Sequence, residues 1–328
     1  MSQSRFVSNC TVDSLQRAAN SLLEGNLVAF PTETVYGLGA DASNEQAVAR
    51  IYEVKGRPAD HPLIIHIHSM QVMGQWVEGV PEYAIALGRD FWPGPMTLIF
   101  KRSNLAQDFI TGGQDTIGIR VPNHVVALGL LEVFHNLGGR GVAAPSANRF
   151  GHVSPTTAVA VSEELSAYLS KEDQVIDGGP CAVGVESTII DCTGGIPRIL
   201  RPGAITLAMI SQSIGINEQE LTVAQRMQKE VVRVSGSLEN HYAPLAKVLL
   251  CETALPGQGF VAHASIETPD GVIRLASPEN DEDFAKVLYS SLREADARGL
   301  AEVVVIQPIG IGIAVAIRDR LRRAANGR

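Results

Sequence analysis

The chain has 328 residues, of which 45% are hydrophobic and 19% charged, with a formal net charge of −8. That length points to two domains, and that mixture buries a sizeable core and excludes a disordered chain. Residues 1–206 carry a net charge of −6 and residues 207–328 a net charge of −2, so neither part has the broad basic face of a phosphate-backbone binder.

In chain order, residues 11–24 show helical apolar spacing, with Gly25 as the stop. LVAF (27–30) reads as a short buried strand running into a loop, PTETVYGLGADA (31–42). Ser43 with Gln46 resembles a capping box that opens a helix to about Glu53. The loop KGRPADHP (55–62) leads to a strand, LIIHIH (63–68). A helix over 81–92, strands over 96–101 and 116–121, and a helix over 124–137 follow. GVAAPSAN (141–148) is a strand entering a loop. A helix near 155–169 and strands at 174–177, 187–191 and 198–201 close this part. Helices and strands interleave, but several strands follow one another directly, which predicts an α/β domain on a mixed twisted sheet.

Residues 215–246 are polar and include the small-residue stretch SGSLENHYAP (235–244), read as a linker. Beyond it, KVLLC, GFVAH, GVIRLA and EVVVIQ are short strands, with helices over 281–298 and 313–325. That alternation predicts a small Rossmann-like domain with a mainly parallel sheet. The division is therefore 1–206, a linker at 207–246, and 247–328.

Four cysteines without a CxxC pair suit reduced thiols in a cytoplasmic protein better than a disulfide scaffold or a zinc site. Residues 1–9 hold no apolar signal core, and no apolar run reaches the length of a membrane span. No GxxxxGK[ST] loop occurs. The IGIGIAVA stretch from Ile309 lacks the third glycine of GxGxxG and reads as a tight β-to-α turn.

Lys55 and Arg57 flank Gly56 in a turn, where two repelling cations suit an intervening triphosphate. A lone KxR is more often a solvated basic turn. In APSAN, Ser146 and Asn148 offer hydroxyl and amide groups at a strand end, where open α/β sheets bind ligands. A polar turn is the bland reading there. By alternation Thr116, Gly118 and Arg120 share one strand face. Arg120 on an apolar strand calls for a carboxylate, from a ligand or a salt bridge. His66 also lies inside a strand, where hydrogen-bonded structural histidines are common. Thr32, Glu33 and Thr34 follow one strand directly, Ser187 opens another, and Arg201 ends the last one of this part.

Taken in order, PTETVYGLGADA, KGRP with HPL, PGPMTLI, GIRVP, APSAN, ESTI and ILRPGAI resemble the threonylcarbamoyl-AMP synthase family with its YrdC-like domain, over about residues 12–206. SGSLENHYAP and the closing AIRDRLRRAA resemble the long form, which carries an extra C-terminal domain. The resemblance implies a YrdC-like twisted mixed open sheet followed by a smaller Rossmann-like domain. It implies synthesis of threonylcarbamoyl-AMP and pyrophosphate from ATP, bicarbonate and L-threonine, with Mg²⁺ arriving on ATP and no dedicated metal ligand. A separate tRNA threonylcarbamoyl transferase would use the product, so no stable tRNA binding is expected.

Residue by residue, Lys55, Arg57, Ser146 and Asn148 match the catalytic nucleotide motifs. Thr116, Ser154, Arg201 and, in the linker, Tyr242 match further ATP contacts. Thr34, His66, Arg120, Ala144 and Ser187 match the threonine pocket. His61 stands where the family more often has Asn before the PL pair, which would make ATP binding more pH-dependent. The linker is expected to fold back over the nucleotide as a lid. Two alternatives share these features: a carbamoyl-adenylate enzyme with another acceptor, whose zinc-finger and acylphosphatase-like segments are absent, and a non-catalytic RNA-binding module, which the acidic balance disfavours.

Overall fold

Thr11 starts the first helix through reciprocal bonding: its hydroxyl accepts from the Ser14 N–H while the Ser14 hydroxyl accepts from the Thr11 N–H. The computed structural model describes residues 7–9, 11–227, 232–234, 236 and 241–327. Cys10 and Ser235, Ser237, Leu238, Glu239 and Asn240 of the SGSLENHYAP stretch lie outside them.

The chain opens with β1 (Val7–Asn9), α1 (Val12–Leu23), β2 (Val28–Phe30), β3 (Gly37–Asp41), α2 (Glu45–Lys55) and β4 (Ile64–His66). A 3₁₀ turn precedes β5 (Val77–Glu78), α3 (Glu82–Phe91), β6 (Met96–Arg102), α4 (Asp108–Thr111) and β7 (Thr116–Arg120). Then come α5 (Val125–Asn136), β8 (Val142–Ala143), α6 (Ala158–Leu165), β9 (Gln174–Asp177), β10 (Thr188–Asp191) and β11 (Arg198–Arg201). Two helices follow, α7 (Leu207–Ile214) and α8 (Glu218–Met227). The last part holds β12 (Lys247–Leu249), β13 (Gly259–Val261), β14 (Ile273–Ala276), α9 (Asp281–Ala297), β15 (Glu302–Val305) and α10 (Ile313–Ala325).

Among the described residues the first eleven strands form one mixed sheet, ordered β1-β9-β2-β3-β8-β4-β7-β6-β10-β11 with β5 on β6. β4 pairs parallel with β7 and antiparallel with β8, while β6 pairs antiparallel with β7 and parallel with β10. The later four strands form a separate parallel sheet, ordered β12-β15-β13-β14. The fold is thus the expected α/β pair, a large mixed sheet followed by a small parallel one. The two are welded: Val35, Val153 and Val185 from the first part sit in one hydrophobic cluster with Phe284, Leu288 and Tyr289 of α9. Gly184 lies so close to α9 that a Cβ there would stand 2.4 Å from the Ala285 carbonyl oxygen.

Three local readings change. Within the stretch read as loop, Gly37–Asp41 is a strand. Its two glycines carry little strand propensity, but a Cβ at Gly39 would lie 2.7 Å from Val142 Cγ1 and 2.8 Å from Phe30 Cε1. Tight sheet packing therefore selects glycine there. The second helix is capped by Asn44, whose Oδ1 accepts from Gln46 and Ala47 N–H, rather than by Ser43. The polar segment read as linker contains α8, started by Asn217 Oδ1 accepting from Glu220 N–H and anchored by buried Leu221. Its exposed polar face hid the helix from a reading that looked for apolar stripes.

Candidate active site

α2 ends on Lys55 because Gly56 takes the left-handed conformation, φ 60°. The chain reverses there, and both cations of KGR are buried, at 2% and 7% exposure. Lys55 Nζ donates to the Ser146 and Asn148 carbonyl oxygens, 2.5 Å each. The KxR and SxN motifs, ninety residues apart, therefore meet at one ammonium. Arg57 Nη2 donates to Pro62 O at 2.9 Å. Burial and then the neighbouring Arg57 push the Lys55 pKa well down. An anion between the two would reverse that penalty. Asn148 donates its amide to the Arg149 and His152 carbonyls, while its Oδ1 is buried without a hydrogen-bond partner among the described residues.

Sheet register builds the neighbouring half. His66 on β4 stands beside Arg120 on β7, and Ile65 faces Ala143 on β8. The Ala144 N–H donates to Ile64 O, which sets the start of APSAN against β4. Burial and then Arg120 hold the His66 pKa down at about 3, so the imidazole is neutral at neutral pH. Arg120 lies 2.8 Å from Glu33, both almost completely buried. The carboxylate expected opposite Arg120 is thus supplied by Glu33. The Glu33 carboxylate oxygens and Arg120 Nε and Nη2 make no well-aligned hydrogen bond among the described residues, so this pair keeps bonding capacity in hand. Thr34 is buried, with its hydroxyl 2.8 Å from that of Thr32.

The third wall comes from β10 and β11. Arg201 donates through Nε and Nη2 to Ser187 O, and through Nη2 to Ser187 Oγ at 3.1 Å. Ser187 Oγ also meets Thr97 Oγ1 at 2.8 Å. Next to it, Glu186 accepts from Ser154 Oγ at 2.7 Å. The chain then returns from the far side. Tyr242 adopts φ 63° and is buried, stacked on Tyr289. Gly236 packs so tightly on Tyr242 that a Cβ would lie 2.1 Å from the phenol oxygen.

A cavity of about 50 Å³ brings most of these groups together: Arg57, His66, Arg120, Ala144, Ser146, Ser187, Arg201 and Tyr242 all line it. Lys55, Thr34, Asn148 and Ser154 stand immediately behind that lining, through the bonds given above. Thr116 does not join them. It lines an adjoining groove with Pro62, Gln114 and Arg233. His61 is not part of that lining; it stands edge-on to Phe150, with its pKa lowered by burial and then by Arg57. Sequence reading missed Glu186 and His241 as lining residues. It also missed Arg320, which is 0% exposed and whose Nε donates to Glu186 at 2.8 Å. The signal was present: Arg320 falls on the apolar stripe of α10 with Ala316, Ile317 and Ala324.

Comparison with known proteins agrees with this geometry. Residues 20–203 match the family model described as "Telomere recombination", and residues 205–326 match the model of the threonylcarbamoyl-AMP synthase C-terminal domain. The threonylcarbamoyl-AMP synthase of Pyrococcus abyssi is 40% identical, over 95% of this chain and 94% of its own length. That of Bacillus subtilis is 36% identical, over 96% and 93%. The crystal structure of P. abyssi Sua5 complexed with L-threonine superimposes with a TM-score of 0.85 at 36% identity, over 98% of this chain and 97% of that one. A second P. abyssi Sua5 structure, with adjacent His and Tyr replaced by Ala, gives a TM-score of 0.83. With its two matched domains, its full-length relatives and its shared fold, the chain belongs to the threonylcarbamoyl-AMP synthase family, in the long form that carries the additional C-terminal domain.

Proposed function

We propose that this enzyme makes L-threonylcarbamoyl-AMP and pyrophosphate from ATP, bicarbonate and L-threonine. The observation that carries the reading is Lys55 Nζ bound to both Ser146 and Asn148 beside Arg57, a buried cationic turn whose Arg57 lines the cavity. The threonine ammonium and bicarbonate give the carbamate, one water and one proton. A carbamate oxygen then attacks the α-phosphorus of ATP, and the bond to the β,γ-diphosphate breaks. Such a displacement needs positioning and charge compensation rather than a nucleophilic side chain.

Lys55, Arg57 and Arg201 face the phosphates, with His61, Ser146, Asn148, Ser154 and Tyr242 completing the nucleotide side. Arg120 takes the threonine carboxylate. Thr34, neutral His66, Ala144 and Ser187 surround the rest of the amino acid. That P. abyssi Sua5 forms a complex with L-threonine supports threonine as the amino-acid substrate. Thr116 contacts ATP only where the ligand reaches the adjoining groove. Mg²⁺ enters as part of the ATP substrate, since Mg²⁺ commonly binds through phosphates and waters. Glu33 and Glu186 are each already engaged by an arginine.

We divide the chain into a catalytic unit at 1–206, a lid-bearing segment at 207–246 and a C-terminal unit at 247–328. The lid holds Tyr242 over the nucleotide, and truncation after residue 206 weakens ATP binding. The product passes to a separate tRNA threonylcarbamoyl transferase in the cytoplasm, with no stable tRNA complex of this chain. No described helix is long and apolar enough to cross a membrane.

The test is pyrophosphate release from ATP and Mg²⁺. Release that requires both threonine and bicarbonate supports the reading. Release without threonine points to another acceptor or a plain ATPase.

A further inference from the structure

The C-terminal unit carries one buried charged residue among its described residues, Arg320, and it is 0% exposed. Its guanidinium pairs with Asp319 on its own helix through Nη1 at 2.6 Å and turns its other nitrogens out of the unit. Nε donates to Glu186 Oε2 at 2.8 Å and Nη2 to Pro202 O at 3.0 Å. From the facing helix, the Tyr289 hydroxyl donates to the same Glu186 oxygen at 2.8 Å. The other carboxylate oxygen takes the Ser154 hydroxyl. Among the described residues the Glu186 carboxylate therefore has three protein donors, two of which come from the C-terminal unit. It lines the cavity and directly precedes Ser187, which Arg201 grips.

A bare carboxylate on that wall would oppose a triphosphate. Burial alone would raise the Glu186 pKa, but Arg320 and Arg201 hold it down at about 2, ionised and compensated. Burying an ion is costly without good partners, so the arrangement needs both donors from the C-terminal unit in place.

We propose that Arg320 and Tyr289 are positioning residues for the active site: they neutralise and fix Glu186, and through it set Ser154, Ser187 and Arg201 for the nucleotide. The assignment rests on the ATP-dependent reading above. It gives the C-terminal unit a role in the site's electrostatics beyond carrying a lid.

The decisive measurement is ATP affinity by calorimetry with Mg²⁺ from pH 6 to pH 8.5, on the full chain and its Arg320→Met variant. The other groups facing Glu186 are Arg201, His241, Tyr242 and Tyr289, with Asp319 beside Arg320 on α10. None of them replaces the lost cation, because Arg201 already compensates Glu186. Without Arg320, Glu186 gains a higher pKa, and as it ionises with rising pH it repels ATP. The expected result is affinity up to roughly tenfold weaker than that of the unaltered chain at the same pH, with the gap widening as pH rises. Adding Glu186→Gln to Arg320→Met brings the affinity back toward that of the unaltered chain at every pH.

Unchanged affinity in Arg320→Met, or a loss that is equal at every pH and not relieved by Glu186→Gln, overturns the proposal. Should Arg320→Met not fold, Tyr289→Phe decides. It is expected to bind ATP about threefold more weakly, since a hydrogen bond to a charged group is lost, and equal affinity counts against the proposal. If the unaltered chain binds ATP but releases no pyrophosphate with threonine and bicarbonate, the functional reading fails while the affinities still judge Arg320.

Discussion

The two sheets of this molecule treat charge in opposite ways. Around the large sheet, Lys55, Arg57, Arg120, Arg201 and the neutral His66 are buried about one cavity. In the small sheet's unit the interior is aliphatic and aromatic, and its one buried charge among the described residues is aimed at the other unit. Buried cations are expensive unless an anion meets them. Their concentration in one region marks where a ligand supplies part of the stabilisation, and their scarcity in the other marks a region selected for packing.

The sharpest way to break this contrast is to remove the two cations of the buried KGR turn. Lys55→Ala and Arg57→Ala are expected to lower threonine-dependent pyrophosphate release by roughly 10³-fold. A coupled pyrophosphate assay checks this, with circular dichroism to confirm the fold. Activity within a few-fold of the unaltered chain would mean that the buried turn is structural.

The next effect is on Arg120, whose anion is already present. Arg120→Met leaves Glu33 buried without a counter-charge, at a cost of about 3–5 kcal/mol in stability. It also raises the threonine KM. Adding Glu33→Gln should recover much of the stability but none of the threonine affinity. Thermal unfolding and threonine titrations on the two variants separate these roles. Recovery of both together would remove Arg120 from the amino-acid pocket.

This pair also shows what the sequence could carry. Arg120 on an apolar strand demanded a carboxylate, but a ligand and a salt bridge answered equally, and only the register of β4, β7 and the turn after β2 shows Glu33 in that place. The motif loops were legible because Gly, Pro, Ser and Asn are chosen by local geometry. β3 was not, because its glycines are selected by Val142 and Phe30 from other strands. The Glu186–Arg320 contact spans 134 residues and joins two units, and no local pattern encodes such a distance. Only the place of Arg320 on an apolar stripe hinted at it.

A smaller effect is acid sensitivity. Burial holds His66 and His241 at about 3 in the folded chain, against an ordinary value of 6.5. Between those limits the unfolded chain binds more protons, so stability falls as pH falls below about 6.5. Each histidine contributes up to about 1.4 kcal/mol per pH unit. Glu186 and Glu164, both held near 2 in the folded chain, steepen the loss below their ordinary value of 4.5. Melting temperatures measured from pH 7 to pH 4 test this, and His241→Gln should reduce the slope. An unchanged slope would mean that His241 is solvated in the folded chain.

The smallest effect belongs to the C-terminal GxG turn. Ile309 and Ile311 are 90% and 88% exposed, and Gly310 and Gly312 take φ 101° and 74°. Arg318 ties the turn down by donating to the Pro308 and Gly310 carbonyls, 2.7 Å each. Those bonds account for the turn's shape without any dinucleotide. Ile309→Ser with Ile311→Ser should therefore leave unfolding free energy within about 0.5 kcal/mol and ATP kinetics within twofold. Arg320 begins only eight residues beyond Gly312 on the helix this turn opens. A null result at the turn beside a clear pH-dependent loss at Arg320 would confine the small unit's contribution to the face it presses against Glu186. A kinetic defect from the two isoleucines would instead place a second functional surface on the unit, at the end of its sheet remote from that contact in role though close to it in sequence.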